Sequence, residues 1–232
     1  MNKDNQYTNM QKRQYDKGTG NHLEHNDNPD YWNILLGDLK NKELWKGKKA
    51  LDFACGKGRN VTNMRNLCEW QRVDGIDLSI GNINYCKENY KNYLSNWYCN
   101  NGIDVSDLKT NEYDFVMSTI ALQHIPVYDI RKSLLTDLLR VLKPQGLFSF
   151  QMGYGKDLKD KFGRAKSTYY DNSWDASGTN SIHDVRIQNE NQIIDDLKEI
   201  GFVNITTNIK DIGEYDAGHD YWIYIKCYKG AV

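Results

Sequence analysis

The stretch Ala50-Leu51-Asp52-Phe53-Ala54-Cys55-Gly56-Lys57-Gly58-Arg59-Asn60-Val61 decides the fold that this sequence predicts. Its apolar run ends in a turn of small residues with two glycines, and a helical pattern resumes directly afterwards. That pattern is typical of a parallel strand passing into a helix at a ligand-binding crevice. Gly56 and Gly58 leave backbone N–H groups and the helix N-terminus open to an anionic group. Because any tight strand-to-helix turn favours glycine, this stretch alone leaves a purely structural role open.

The composition predicts one large α/β domain of a cytoplasmic protein. A chain of 232 residues can bury a substantial core without disulfides or metal. Its formal net charge of −1 argues against broad binding to nucleic acid or to an anionic membrane. The five cysteines form no C-x-x-C pair, so neither a zinc site nor a disulfide framework is expected. The sequence shows neither a signal peptide nor an apolar run of roughly 20 residues.

The N-terminal part is interpreted as an arm followed by a helix. Residues 1 to about 27 are polar and weakly patterned, with Tyr7 and Tyr15 as the main apolar side chains, so this arm is either mobile or a lid. Asn28-Pro29 predicts a helix start, and the helix is expected to end before Gly47. Its apolar stripe is Trp32, Leu35, Leu36 and Leu39.

Strands and helices then alternate through residue 152. The predicted strands are residues 50–54, 73–76, 97–99, 113–118 and 147–152. Ser79 is expected to cap one of the intervening helices. The apolar face of that helix is expected to be Ile83, Cys86, Tyr90 and Leu94. Lys143-Pro144-Gln145-Gly146 is expected to stop the helix before the fifth strand.

Residues 153–188, here called the cap segment, lack sustained periodicity and are rich in aromatic and polar side chains. Long irregular segments of compact domains tend to be functional, so we interpret this one as an insertion above the sheet. Asn189-x-x-Gln192 predicts a capping box for a helix that Gly201 ends. Two closing strands follow, over residues 202–209 and 221–228. The whole pattern predicts an open, mostly parallel sheet covered on both faces, with its crevice at the carboxyl ends of the strands.

Several ordered motifs resemble those of the class I S-adenosylmethionine-dependent methyltransferases. The matching stretches are residues 51–59, 75–79, 102–105, 113–118 with 122–125, and 139–146. Ala54 stands where the first glycine of that family is commonest. The resemblance covers about residues 48–152 clearly and implies a Rossmann-like, doubly wound, seven-stranded sheet with an antiparallel last strand. It also implies one domain over residues 1–232, with residues 1–46 as a lid and the cap segment over the acceptor.

The resemblance implies S-adenosylmethionine as cofactor and S-adenosylhomocysteine as product, with no metal. Asp77 would accept hydrogen bonds from the ribose hydroxyls, Asp104 would face the adenine amino group, and Asp52 would help hold the methionine amine directly or through water. Tyr15 could cover the sulfonium, although aromatic residues near an N-terminal helix are more often core. The expected cofactor contacts are Asp52, Ala54, Cys55, Gly56, Gly58, Asp77, Leu78, Ile103, Asp104, Val105, Ser118, Thr119, His124 and Tyr15.

The resemblance says little about the methyl acceptor. His124 is the best-placed candidate for a general base, but it could equally pack beside the cofactor as a neutral ring. Elimination favours a small polar acceptor, such as a sugar, as the partner of the reaction. The candidate substrate contacts are Gln123, Gln151, Tyr154, Arg164, Tyr170 and Arg186.

Three alternatives remain beside this interpretation. A nicotinamide dehydrogenase is disfavoured because Val61 stands where the third glycine of G-x-G-x-x-G belongs. A module that binds S-adenosylmethionine without catalysis stays open, since the sequence contains no catalytic acceptor motif. Methylation of a macromolecule also stays open, although Ser118-Thr119-Ile120-Ala121 replaces the Asn/Asp-Pro-Pro-aromatic tetrad of nucleic-acid enzymes. The oligomeric state is not predicted.

Overall fold

The computed structural model describes residues 3–16, 28–37, 39–172, 184–212 and 219–231. Within these ranges seven strands form one sheet in the order β3-β2-β1-β4-β5-β7-β6. The strands are β1 (Lys49–Phe53), β2 (Arg72–Asp77), β3 (Trp97–Cys99), β4 (Tyr113–Ser118), β5 (Leu142–Tyr154), β6 (Phe202–Asp211) and β7 (Tyr221–Lys229). Strands β1 to β5 pair in parallel, and β7 runs antiparallel to both β5 and β6. The predicted Rossmann-like, doubly wound fold is confirmed.

Helices cover both faces of the sheet. They are α1 (Lys3–Asp16), α2 (Pro29–Leu36), α3 (Arg59–Leu67), α4 (Ile80–Asn89), α5 (Tyr128–Val141) and α6 (Glu190–Ile200), with 3₁₀ turns at Leu39–Trp45 and Leu122–His124. Side chains alternate along β1, so Leu51 and Phe53 join a core with α5 and α6, while Ala50 joins a second core with α2 and α3. No helix in the described ranges is long and apolar enough to cross a membrane.

The structure confirms the predicted capping residues of three helices. The Asn28 side chain accepts a hydrogen bond from the Asp30 N–H, and Pro29 opens α2. The Ser79 hydroxyl accepts from the Asn82 N–H at the start of α4. Asn189 and Gln192 form the predicted capping box of α6, and Gly201 ends that helix in the left-handed conformation.

Near the N-terminus, the sequence failed to predict one helix and extended another too far. The polar arm contains the helix α1, in which Tyr7 and Gln11 are buried. Helix α2 stops at Leu36 because Gly37 adopts a φ of 91°, so Leu39 lies outside the helix that its spacing had extended. Residues 17–27 of the predicted arm lie outside the described residues.

Two further boundaries differ in the middle of the chain. Helix α4 ends at Asn89, so Leu94 is no part of its apolar face and is 67% exposed. Strand β5 begins at Leu142, five residues before the predicted start. Its first residue pairs with Tyr113, and the register then shifts before the continuous ladder that starts at Leu147. The helix-stop sequence thus lies within an irregular first part of the strand.

The centre of the sheet leaves no room for a side chain at Gly75 in β2. A Cβ atom built there would lie 2.6 Å from Trp97 and 2.8 Å from the sulfur of Cys55. The glycine therefore lets β3 and the loop after β1 approach β2 closely, which sets the position of that loop.

We expect Gly75→Ala to lower the free energy of unfolding by about 1–3 kcal/mol, because the core must shift to accept the added methyl group. Gly81→Ala is the matched control, since its Cβ would meet only ordinary contacts at 3.5 Å or more. Chemical denaturation of both variants measures the difference. Equal stability of the two variants would contradict the close packing at Gly75.

Candidate functional site

A cavity of about 610 Å³ opens at the carboxyl ends of β1, β2 and β4. The loop after β1 forms its floor, and the first residues of α4 and the 3₁₀ turn at Leu122–His124 form its sides. Trp222 of β7 and Arg164 of the cap segment close one end. This edge is where open α/β sheets bind ligands, as the sequence predicted for this fold.

The loop after β1 is built from left-handed backbone conformations. Ala54, Gly56 and Gly58 have φ values of 60°, 54° and 83°. Gly58 also needs its missing side chain, because a Cβ there would lie 2.8 Å from Tyr90. A non-glycine residue such as Ala54 in this region carries strain, and strain of this kind concentrates at ligand sites. Burial raises the pKa of the Cys55 thiol, so this cysteine is a poor nucleophile.

Asp77 at the end of β2 fastens that loop to α4. Its Oδ2 accepts from the Gly56 N–H at 2.8 Å, and its Oδ1 accepts from the Ser79 N–H at 2.8 Å and from Asn82 Nδ2 at 3.3 Å. Burial raises the pKa of the Asp77 carboxyl, and the two N–H donors oppose that shift. Since a carboxylate offers about four acceptor positions, one remains for a ligand hydroxyl, and a second becomes available if the long Asn82 bond yields.

Asp52 is a buried carboxyl group beneath the same loop. Its side chain is 1% exposed, and neither oxygen has a hydrogen-bond partner among the described residues. Burial raises the pKa of Asp52 to about 8, against the opposing charge of Arg59. An unpartnered buried carboxylate is costly, so this group suits a nearby cationic ligand group. Asp52 does not line the cavity itself, which favours contact through a water molecule.

Helix α1 forms the outer wall of the cavity with Tyr7, Gln11 and Tyr15. The Asp16 carboxylate accepts a hydrogen bond from the Ser79 hydroxyl at 2.6 Å and from the Gly81 N–H at 3.3 Å, which docks the helix on the start of α4. Of the predicted lid over residues 1–46, helix α1 therefore contributes to the cavity wall, whereas α2 contributes no lining residue. Whether the lid moves stays a prediction.

His124 lines the cavity, and both its backbone and its ring form hydrogen bonds. Its carbonyl oxygen accepts from the Tyr7 hydroxyl at 3.2 Å and from Gln11 Nε2 at 3.3 Å. Its Nδ1 lies 2.6 Å from Oδ1 of Asp184 in the cap segment. An ionised carboxylate can accept hydrogen bonds but has no proton to donate, so Nδ1 must carry a proton. This leaves Nε2 as the ring nitrogen that can accept a proton.

Nine of the residues predicted for the site line the cavity. They are Tyr15, Ala54, Cys55, Gly56, Asp77, Leu78, Thr119, His124 and Arg164. The others are not among its lining residues, and their roles stay predictions. They are Asp52, Gly58, Ile103, Asp104, Val105, Ser118, Gln123, Gln151, Tyr154, Tyr170 and Arg186.

Local contacts explain several of these placements. The Asp104 carboxylate turns to the Ser106 hydroxyl at 2.6 Å, which lowers the pKa of Asp104, and the cavity wall there is formed by Asn100 and Gly102 instead. Arg186 is fully buried and pairs with Asp220 at 2.8 Å. Both residues therefore have partners within the chain in this structure.

Sequence reasoning missed several residues of the wall. Gln11, Asn60, Asn100 and Trp222 all line the cavity, and Asn60 Nδ2 donates to the Thr119 hydroxyl at 2.9 Å. Asn60 and Asn100 each follow a feature that the sequence did reveal, namely the glycine loop and β3. Gln11 gave no such signal, because it lies in a helix without an apolar stripe.

The middle of the chain matches a known family. Residues 51–150 match the family model described as a methyltransferase domain. Over 112 residues the chain is 34% identical to the demethylmenaquinone methyltransferase of Staphylococcus carnosus, and the match covers 47% of this chain and 44% of that protein. The chain thus spans less than half the length of this curated relative.

Solved structures match over more of the chain. A TM-score of 0.59 relates it to an S-adenosylmethionine-dependent methyltransferase of Methanosarcina mazei at 16% identity, covering 81% of this chain and 94% of the other. The phosphoethanolamine N-methyltransferase 2 of Haemonchus contortus, solved with phosphomonomethylethanolamine and S-adenosylhomocysteine, gives 0.57 at 17% identity, covering 84% and 53%. At such low identities, the likeness shows the fold.

The buried Asp52 predicts an unusual pH dependence of stability. Its pKa of about 8 in the folded chain lies above the value of about 4 for an unfolded chain, so the folded state holds an extra proton between these values. Stability from this group is complete below about pH 4 and is lost as the pH rises through about 8. We expect Asp52→Asn to raise the melting temperature at about pH 9 relative to wild type.

Thermal melts at about pH 6 and about pH 9 measure this effect. Asp104→Asn serves as the control, because the pKa of Asp104 is lowered and its loss cannot remove the same pH dependence. Parallel changes of wild type and Asp52→Asn between the two pH values would contradict the assignment.

Proposed function

We propose that this chain, whose residues 51–150 belong to the family of methyltransferase domains, binds S-adenosylmethionine and transfers its methyl group to a small polar acceptor. The observation that carries the proposal is one cavity lined both by a glycine loop that hydrogen-bonds to Asp77 and by a histidine whose ring hydrogen-bonds to a carboxylate. The first part suits the cofactor, and the second suits removal of a proton from the acceptor.

The residues of the cavity fit the parts of S-adenosylmethionine. The remaining acceptor capacity of Asp77 suits a ribose hydroxyl, and the unpartnered Asp52 carboxylate suits the cationic amine of the methionine part. The open backbone of the loop at Gly56 suits the carboxylate. The relatives' names support the same cofactor, since two solved neighbours are described with S-adenosylmethionine or S-adenosylhomocysteine.

The size and lining of the cavity support a small acceptor. Its volume of about 610 Å³ falls within the range of roughly 300–1,000 Å³ for small-molecule sites. Arg164, Thr119 and Asn60 bring polar groups to a wall that also contains Trp222. The curated relative acts on demethylmenaquinone by its name, while our proposal keeps to a polar acceptor because of this lining. A cytoplasmic location and the absence of nucleic-acid partners remain predictions from the sequence.

The protein's share of the chemistry is alignment, exclusion of water and proton removal. Bound S-adenosylmethionine supplies an activated methyl group on a sulfonium. Holding two reactants in line can supply several kcal/mol of the barrier. Helix α1 and Arg164 of the cap segment contribute to the cavity wall, which would help to exclude water. His124 takes the proton of the acceptor through Nε2, because Asp184 occupies Nδ1.

Loss of the Asp77 carboxylate tests the cofactor site. We expect Asp77→Ala to weaken binding of S-adenosylhomocysteine by roughly 10- to 100-fold, as for loss of a hydrogen bond to a charged group. Asp107→Ala is the matched control, because this carboxyl is exposed and does not line the cavity. Calorimetric titration at a temperature where both variants are folded gives the affinities. Wild-type affinity of Asp77→Ala would remove the ribose assignment.

Replacement of His124 separates catalysis from binding. We expect His124→Gln to lower the turnover number by about 10²- to 10⁴-fold, the range for loss of a general base, with affinity for S-adenosylhomocysteine unchanged within about twofold. Mass spectrometry of S-adenosylhomocysteine formed with a panel of small sugars, phenols, amines and thiols measures turnover. A protein that binds the cofactor but turns over none of these compounds would favour the non-catalytic module, and full turnover by His124→Gln would exclude the base.

A further inference from the structure

The Asp184 carboxylate lies between two histidines that come from distant parts of the chain. His124 Nδ1 lies 2.6 Å from its Oδ1, and His219 Nε2 lies 3.4 Å from its Oδ2. The second contact is long and lacks hydrogen-bond geometry in this structure. The three residues precede α5, end the cap segment and precede β7, so one carboxylate connects three elements around the cavity.

His219 is enclosed between the sheet and the cap segment. Its side chain is 0% exposed, and a Cβ atom at Gly153 would come within 2.0 Å of its ring. Trp222, which lines the cavity, lies 5.5 Å from the same ring between centroids. Gly153 therefore leaves the space that this imidazole fills, and the imidazole reaches the Asp184 carboxylate from the side opposite His124.

Charged groups surround this trio from each neighbouring element. Lys166 and Arg186 of the cap segment face His219, and the Tyr15 hydroxyl of α1 faces Asp184. Lys166 is engaged by Asp160 and Arg186 by Asp220. Burial alone would raise the pKa of the Asp184 carboxyl, but the two histidines lower it well below the usual range, so Asp184 stays ionised. Burial lowers the pKa of His219, which keeps its ring neutral.

We propose that Asp184 is a positioning residue that holds His124 in the tautomer with its proton on Nδ1, and that the site thereby selects an acceptor with a hydroxyl group. This selection of a hydroxyl acceptor rests on the methyl transfer proposed above. His219 packs against the second oxygen of Asp184. Because Asp184 engages Nδ1 of His124, Nε2 is the ring nitrogen left for the acceptor.

The step balances for a hydroxyl acceptor. An oxygen lone pair attacks the methyl carbon, the carbon–sulfur bond breaks with its electron pair going to sulfur, and the hydroxyl proton passes to Nε2 of His124. The products are the methyl ether, S-adenosylhomocysteine and an imidazolium that Asp184 stabilises until the proton returns to water. A neutral amine has a free lone pair and a thiol ionises readily, so neither gains as much from a fixed base as a hydroxyl does.

Two histidines and an aspartate are also typical ligands of a metal ion. In the described residues, no group of three histidine, cysteine, aspartate or glutamate side chains is arranged to hold a metal ion. The short contact to His124 and the long contact to His219 instead suit a carboxylate that orients one ring closely and the other loosely.

Nitrogen NMR of the histidine rings tests the tautomers without knowledge of the acceptor. The full chain, labelled with ¹⁵N-histidine and saturated with S-adenosylhomocysteine, is recorded at neutral pH, and single His124→Gln and His219→Gln variants assign the signals. We expect His124 as the Nδ1–H tautomer. A free imidazole favours Nε2–H, so the Nε2–H form at His124 in wild type would overturn the proposal.

Two variants distinguish the orientation of the His124 ring from a general loss of stability. Asp184→Ala should shift His124 toward the Nε2–H tautomer. Asp220→Asn breaks the ion pair with Arg186 and should lower the melting temperature without changing that tautomer. If the two variants change the tautomer of His124 equally, or if neither changes it, Asp184 has only a structural role.

The acceptor class is tested with matched hydroxyl, amine and thiol compounds, using methyl glucoside and phenol as hydroxyl probes, aniline as the amine probe and thiophenol as the thiol probe. We expect S-adenosylhomocysteine to form with the hydroxyl probes. The turnover number should fall about 10- to 100-fold in Asp184→Asn, while the Michaelis constant changes little. The turnover number should recover partly in Asp184→Glu. Turnover confined to amine or thiol probes would overturn the hydroxyl selection while leaving methyl transfer in place. Loss of cofactor binding would instead contradict the proposed function.

Discussion

The hydrogen bond from the Gly56 N–H to the Asp77 carboxylate is the interaction on which the rest of the site depends. It joins the ends of two neighbouring strands, so the loop after β1 and the first turn of α4 form one continuous floor. The same carboxylate accepts from Ser79, and the Ser79 hydroxyl in turn holds Asp16 of α1. This chain of hydrogen bonds links the outer wall of the cavity to its floor.

Two buried acids near that floor differ in their hydrogen bonds. Asp77 has N–H donors for both oxygens, whereas Asp52, one strand away, has none among the described residues. A folded chain retains such an uncompensated group only at a cost. A cationic ligand group would offset that cost, so the burial of Asp52 would contribute to the affinity proposed for the cofactor.

Much of the fold was readable from the sequence because local signals agreed with it. Asn28, Ser79 and the Asn189 capping box marked true helix starts, and β3 and β4 matched their predicted ranges. Signals failed where tertiary packing decides, as in the polar helix α1. Asp184 and His219 could not be found, because their link to His124 spans 60 residues or more and depends on how the cap segment folds.

A crystal structure with S-adenosylhomocysteine tests the central claim most directly, since the claim is that the Gly56–Asp77 floor holds this cofactor. The account predicts density in the cavity of about 610 Å³, with a ribose hydroxyl within hydrogen-bond distance of Asp77 and the amino-acid end against the loop at Gly56. Density at another place on the chain, or a cavity that stays without ligand at saturating concentration, would contradict it.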